Sequence, residues 1–222
     1  GGYQSMNILI FDIETIPQQT PLSDLQEETL QRKLDKFTIK DNEDLIGIRN
    51  RIMATSPYFG EIVCIGAMKV YGDESGSISL VGTEKEILTR WWEIIKKHKG
   101  VFVHYNGLGF DVPFILKRSM FHGIEPTHKQ FADTKRFQRY PHFDVQQILA
   151  DWDRYQTASL ELACEFLGVK SPKDGEIKAA NVAEAFAAGR IDEIAEYCLK
   201  DVQATYDVYQ ILQNYTYIPK RY

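Results

Sequence analysis

Two acids separated by a single residue, Asp12 and Glu14 in Phe11-Asp12-Ile13-Glu14-Thr15, close an apolar run that begins at Asn7. Far along the chain Tyr197 and Asp201 stand four apart, and between these phrases lies Asn106-Gly107-Leu108-Gly109-Phe110-Asp111. Four carboxylates brought to one place repel one another strongly in a low-dielectric setting, so such a cluster makes physical sense chiefly where divalent cations neutralise it. Carboxylate oxygens suit Mg²⁺ or Mn²⁺, hard ions that keep several waters and take remaining ligands from a phosphate. The chemistry indicated is metal-dependent phosphodiester hydrolysis.

The elements that must position these groups are legible nearby. Residues 7–13 read as a central strand buried on both faces. Side chains two apart on a strand share a face, so Asp12 and Glu14 present their carboxylates side by side. Alone, the pair is equally readable as two solvated acids at a strand end. From Arg190 to Asn214 the apolar residues recur with a helical rhythm, which puts Tyr197 and Asp201 on one face. They are either site residues or a core aromatic beside a solvated helix acid. Val101–Tyr105 reads as a second buried strand, Asn106–Gly109 as a turn, and 110–121 as a helix. Asp111 then falls in the helix's first turn, where a cap alone would also explain it and Pro113 is tolerated. Asn106, at the strand end, either bonds a substrate or fixes the loop.

Together these phrases resemble the DEDD exonucleases of the ribonuclease H-like superfamily, in the subgroup whose third motif is Tyr-x-x-x-Asp. The resemblance runs from Asn7 to Leu212 and is nearest to stand-alone bacterial 3'-5' exonucleases similar to the proofreading domain of family B DNA polymerases. Asp12 and Glu14 match its first motif, Asn106, Phe110 and Asp111 its second, Tyr197 and Asp201 its third. Ser56–Val63 resembles the entry to the family's second strand. Phe143-Asp144-Val145 and Ser159–Ala163 resemble its stretches between the second and third motifs; Asp144 reads first as a helix N-cap. Lys170 and Lys173 lie in a loop resembling the family's basic loop.

The resemblance implies two ions, Mg²⁺ or Mn²⁺, one held by Asp12, Glu14 and Asp201 near Tyr197, the other by Asp12 and Asp111. It implies release of nucleoside 5'-monophosphates from the 3' ends of single-stranded DNA, with Asn106 and Phe110 contacting substrate. An RNA exonuclease of the oligoribonuclease type and a silent nucleic-acid-binding module are the alternatives. That RNA subgroup carries His-x-x-x-x-Asp in its third motif, so Tyr197 favours DNA, and four intact acids speak against silence.

The chain of 222 residues has formal net charge -5 and is 44% hydrophobic, enough for a full core and too short for an added polymerase. Part of the negative charge is the acid cluster itself. Local basic surface is expected from Lys117 and Arg118, from His128 and Lys129, or from Lys135, Arg136 and Arg139, the last interleaved with Phe137 and Tyr140. Arg32, Lys33, Arg49 and Arg51 are further candidates. No apolar run is long enough to cross a bilayer and no leader is evident, so a cytoplasmic location without membrane partners is expected. Cys64, Cys164 and Cys198 sit in apolar contexts and read as reduced core thiols rather than zinc ligands.

Residues 1–5 read as a remnant of a tag before Met6, and 6–222 as one domain. The expected fold is α/β, a ribonuclease H-like mixed sheet of five strands flanked by helices. Strands are expected over 7–13, 61–70, 77–82 and 100–105, with a fifth between 135 and 143, and helices over 84–98, 110–121 and the C-terminal half. Residues 18–57 are expected to form a helical insertion, one helix opened by Leu22-Ser23-Asp24 and running through Leu25, Leu30 and Leu34, and a second including Leu45, Ile46, Ile48 and Ile52. Its readings are a cover over the acids, an outer flap or a dimer contact.

Overall fold

The computed structural model describes residues 7–38, 42–172 and 175–217. The strands are β1 (Ile8–Pro17), β2 (Gly60–Tyr71), β3 (Glu74–Leu80), β4 (Val101–His104) and β5 (His142–Asp144). Around them lie α1 (Asp24–Leu34), α2 (Asn42–Ala54), α3 (Glu84–Ile95), α4 (Asp111–Phe121), α5 (Val145–Leu149), α6 (Leu160–Leu167), α7 (Val182–Ala187) and α8 (Ile191–Leu212). They form one mixed sheet in the order β3-β2-β1-β4-β5, with β1–β2 and β2–β3 antiparallel and β1–β4 and β4–β5 parallel. This is the expected α/β architecture with its helical insertion.

The pleat of β1 sorts its side chains between two layers. Leu9, Phe11 and Ile13 face one core with Trp91 and Trp92 of α3 and Phe114 and Ile115 of α4. Ile8 and Ile10 face a second core with Val202, Val208 and Tyr209 of α8. A strand sealed on both faces must be apolar throughout, which is why 8–11 form an unbroken apolar run. Acids can then enter only where the layers part.

Several boundaries differ from the expectation. β1 continues to Pro17 because Gly60–Tyr71 is long enough to pair it along its whole length, with a bulge between Glu14 and Thr15. The β2–β3 turn is only Gly72-Asp73, with Gly72 at φ 61, so β3 starts at Glu74 rather than 77. Helix α3 ends at Ile95, and β5 is confined to three residues at the end of the stretch in which a strand was expected. The insertion forms both anticipated helices. Ser23 and Gln26 make a reciprocal capping box at the start of α1, and Leu30, Leu34, Met53 and Phe59 form a small core of their own. Residues 1–6, with the tag remnant and Met6, lie outside the described residues, as do Lys173 and the connection 39–41.

Candidate active site

The acids meet where the sheet splits. β1 and β4 are paired only over Ile8–Ile10, because β4 ends at His104 while β1 runs on. Beyond that point the β1 edge facing β4 has backbone N–H groups without a strand partner, and buried donors of this kind are rarely left unsatisfied. The Asp111 carboxylate takes one of them, accepting from the Ile13 N–H at 3.1 Å. Asp111 in the first turn of α4 therefore ties that helix to the strand carrying Asp12 and Glu14, while the N-cap position itself is Phe110, with no side-chain cap bond.

Helix α8 closes the other side. Gly66 lies opposite Asp12 in the β1–β2 register, and a Cβ there would come within 2.9 Å of the Cys198 Sγ. Glycine thus lets α8 press against the sheet next to Asp12. A donor atom from each of Asp12, Glu14 and Cys198 lies within 4.8 Å of the others, and the Cys198 Sγ is 3.6 Å from an Asp12 oxygen. Cys198 is the neighbour that sequence reasoning treated only as core. Its signal was available: it sits three residues before Asp201 and so shares that helix face. Burial, then a hydrogen bond with Cys64, pushes its thiol well above the ordinary range, so it presents a neutral S–H. A hard ion takes carboxylate oxygens rather than a protonated thiol, so of these three Asp12 and Glu14 are the groups that could hold one.

The electrostatics show which other groups share the site. Asp12 is pushed well up, first by burial and then by Asp111, Glu14 and Asp201. Glu14 is raised by burial and then by Asp201. Asp111 is raised to about 7, chiefly by burial, against the lowering effect of its backbone N–H bonds. Tyr197 is half-buried, and burial followed by Asp201, Glu14 and Asp12 keeps its hydroxyl protonated at any ordinary pH. Asp12, Glu14, Asp111, Tyr197 and Asp201 are therefore one electrostatic cluster, made by β1, the start of α4 and α8.

The turn before α4 is held by residues 36 to 38 positions away. Asp144, fully buried, caps α5 through the Gln147 N–H at 3.3 Å, as expected. It also accepts from the Asn106 N–H at 2.9 Å and the Leu108 N–H at 3.1 Å. Asn106 itself has φ 60, a conformation that asparagine tolerates better than bulkier residues. Beneath the turn runs a directed chain of two neutral imidazoles. The Gly107 N–H donates to His104 Nδ1 at 3.0 Å, His104 Nε2 lies 3.1 Å from His142 Nδ1, and His142 Nε2 donates to the Phe131 carbonyl at 2.8 Å. The two ends fix both tautomers, since an amide can only donate and a carbonyl only accept. A Cβ on Gly107 would fall 2.3 Å from the His104 ring, so the Asn-Gly pair fits this ring as well as the turn. No sequence rhythm marks His104, His142 and Asp144 as one unit.

Burial lowers the pKa of His104 and of His142 to about 3. An unfolded histidine takes a proton near 6.5, so this pair's stabilising contribution is complete above that value and is lost as pH falls towards 3. At about pH 5 the expected loss is about 2 kcal/mol per ring. Urea unfolding at about pH 7 and about pH 5 tests this against a double variant, His104→Asn with His142→Asn. The variant is expected to have the lower midpoint but the shallower pH dependence. Equal slopes would show that the pair titrates alike in both states. The comparison is needed because protonation of the acid cluster acts in the opposite sense.

The other sequence candidates separate. Phe110 is the N-cap of α4 and packs edge-on to Phe114, with ring centroids 5.4 Å apart. Arg118 is no surface cation: it is buried, bonded to Glu84 at 2.7 Å and to the Pro57 carbonyl at 3.2 Å. Its adjacency to Lys117 suggested a basic patch, but of the two Arg118 is taken up by the Glu84 carboxylate. His128 bonds the His98 carbonyl, Arg49 pairs with Glu27, and Arg139 bonds Thr216. Phe137 is exposed and its ring meets that of Trp152 at a tilt of 46°, with centroids 5.1 Å apart. All three cysteines are buried and free. Among the described residues no helix is long and apolar enough to cross a membrane.

A family model described as a predicted 3'-5' exonuclease related to the exonuclease domain of PolB matches residues 56–217. The chain belongs to this family. A DNA polymerase of Pyrococcus glycovorans is 27% identical over 163 residues, covering 62% of this chain and 21% of the polymerase. One from Pyrococcus horikoshii is 28% identical over the same length, covering 62% of this chain and 13% of the polymerase. Among solved structures, the family B DNA polymerase of Pyrobaculum calidifontis superposes with TM-score 0.60 at 17% identity, covering 96% of this chain and 25% of that one. The chain thus spans about a fifth of the first curated relative it matches, and it is a 3'-5' exonuclease-like domain of the PolB-related kind. The family match begins after Asp12 and Glu14; the sheet is what brings those two acids to the matched residues.

Proposed function

We propose that this PolB-related exonuclease is a single domain over 6–222 that hydrolyses single-stranded DNA from the 3' end, releasing nucleoside 5'-monophosphates. The observation that carries the reading is the convergence of Asp12, Glu14, Asp111 and Asp201 at the split between β1 and β4, with the protonated Tyr197 hydroxyl among them. Carboxyl groups raised this far by burial and mutual repulsion form a poor site for a proton-poor protein and a good one for hard cations. Asp12, Glu14 and Asp201 would hold one Mg²⁺ or Mn²⁺, and Asp12 with Asp111 a second. Bound there, the ions supply an acidified water and charge stabilisation at the departing 3' oxygen.

The chain's own residues do the rest. Tyr197 cannot act as a base while its hydroxyl stays protonated, so it orients the attacking water by hydrogen bonding. Asn106, in the turn held by Asp144 and His104, and Phe110, at the start of α4, would contact the terminal nucleotide. Tyr197→Phe is expected to lower kcat about 10- to 100-fold, with metal affinity unchanged, because the hydroxyl positions water and holds no ion. Loss of metal affinity in a calorimetric titration would show Tyr197 to be a ligand.

The deciding experiment is digestion of matched 5'-labelled single-stranded DNA and RNA with Mg²⁺, with Mn²⁺ and with chelator. A metal-dependent ladder shrinking from the 3' end of DNA is the expected result. Preferential digestion of RNA would transfer the reading to an RNA exonuclease, and binding without cleavage would make the domain a silent binder.

A further inference from the structure

A cleft of about 1180 Å³ lies between α1 of the insertion and the C-terminal end of α4. It is distinct from the acid cluster: α4 starts at Asp111, first lines the cleft at Lys117 and reaches Phe121 ten residues on, or about 15 Å of helix. Its lining includes three large apolar side chains turned to solvent, Leu25, Tyr58 and Phe121, exposed by 68%, 67% and 71%. Exposed aromatics gathered in a concave surface mark an interaction site more often than scattered ones do.

The charge on the cleft is selective. Glu84 is spent on Arg118, on His122 and on the Ile62 N–H, and Glu61 accepts from Gln19. Lys33, Lys85 and Lys117 make no ion pair among the described residues. In a chain of net charge -5, this cleft therefore combines stacking surfaces with three cations outside any ion pair among the described residues, against the one carboxylate of Glu61, whose partner Gln19 is neutral. The combination suits a flexible polyanion with flat apolar faces, the chemistry of single-stranded nucleic acid. The walls are rigidly set, since the Glu84–Arg118 pair is buried and Arg118 in turn packs over the Phe121 ring at 4.3 Å.

We propose that this cleft holds the single strand several nucleotides upstream of the terminus being cleaved, with bases stacked on Tyr58 and Phe121 and phosphates near Lys33, Lys85 and Lys117. The proposal rests on the exonuclease reading but concerns residues outside the acid cluster. A stacked strand advances about 3.4 Å per nucleotide, so about four to five nucleotides are needed to span the helix from Asp111 to Phe121. A trinucleotide ends before reaching Phe121.

The test compares the unsubstituted protein with a triple variant, Tyr58→Ala, Phe121→Ala and Lys85→Ala, using a trinucleotide and an oligonucleotide of about 20 nucleotides. The expected result is a rise in KM of about tenfold or more for the long strand, with trinucleotide cleavage unchanged. Equal losses on both lengths, or no loss on either, would overturn the proposal. If the unsubstituted protein cleaves neither substrate, the exonuclease reading fails. Fluorescence anisotropy with the long strand then still decides the cleft, by weakened binding or its absence. A competing acidic peptide that binds the unsubstituted protein and not the variant, with strand binding unaltered, would assign the cleft to a protein partner instead.

Discussion

Asp12→Asn is expected to abolish hydrolysis and, in metal-free protein, to raise the melting temperature. The substitution keeps the volume of the side chain and removes its charge. Asp12 carries a carboxyl group that burial and three neighbouring acids all disfavour as an anion. Relief of that repulsion should stabilise the metal-free fold by about 1 kcal/mol, or about 2–4 °C for a chain of this size. On the proposed two-ion reading the same change would remove a shared ligand, and with it several kcal/mol of charge stabilisation in the transition state. The activity loss is then about a thousandfold or more. Thermal denaturation with chelator, beside a gel assay with Mg²⁺, reads both effects. A variant that is inactive and also less stable without metal would mean that Asp12 serves the fold, and the acid cluster would need another explanation.

Addition of Mg²⁺ or Mn²⁺ to the unsubstituted protein is expected to raise its melting temperature by about 5–10 °C at a hundredfold excess over the dissociation constant. Chelator should reverse the shift, and Asp12→Asn should remove most of it. The effect carries a proton signature. Asp111 has its pKa raised to about 7 from an ordinary value of 3.8. Between those values the folded, metal-free chain holds more protons than the unfolded one, so the contribution of this group to stability is present at low pH and declines as pH rises through about 7. A cation that binds the carboxylate must displace the proton. Calorimetric titrations in buffers of different ionisation heat should therefore show more proton release at about pH 6 than at about pH 8. A melting temperature indifferent to both ions would remove the metal site from the account.

Much of this site was readable before any coordinates because its parts sit on regular elements. The apolar run into Asp12-Ile13-Glu14 is a strand, and a period of two puts both acids on one face; that α8 covers this face was decided by packing. Tyr197 and Asp201 follow from the helical period in the same way. Asp111 was legible only in part. Its place in a first helical turn follows from the Gly-Leu-Gly-Phe turn before it, but its bond to the Ile13 N–H exists because β4 stops at His104 while β1 continues, and strand ends are set by pairing.

The surface was the least legible. Neighbouring basic residues look alike in sequence, yet Lys117 faces the cleft while Arg118 is buried against Glu84, thirty-four residues earlier. The insertion was visible as two helices, and Leu22-Ser23-Asp24 marked the start of the first; the part Gln26 plays in its cap came from the structure. That α1 and the end of α4 face one another across a cleft depends on how the insertion docks, through contacts such as the Thr15 hydroxyl donating to the Ala54 carbonyl at 2.6 Å.

The sequence by itself determined the layered α/β architecture and the faces on which the acids and the tyrosine lie, because local periodicity and turn chemistry act over a few residues and survive in any context. Only the tertiary structure decided that Cys198 adjoins Asp12, that His104, His142 and Asp144 hold the Asn106 turn, and that a cleft lined by aromatics and lysines opens beyond α4. Those contacts join residues tens to more than a hundred positions apart. Their energies arise from desolvation and close packing once the chain is folded, and no short-range pattern in the sequence encodes them.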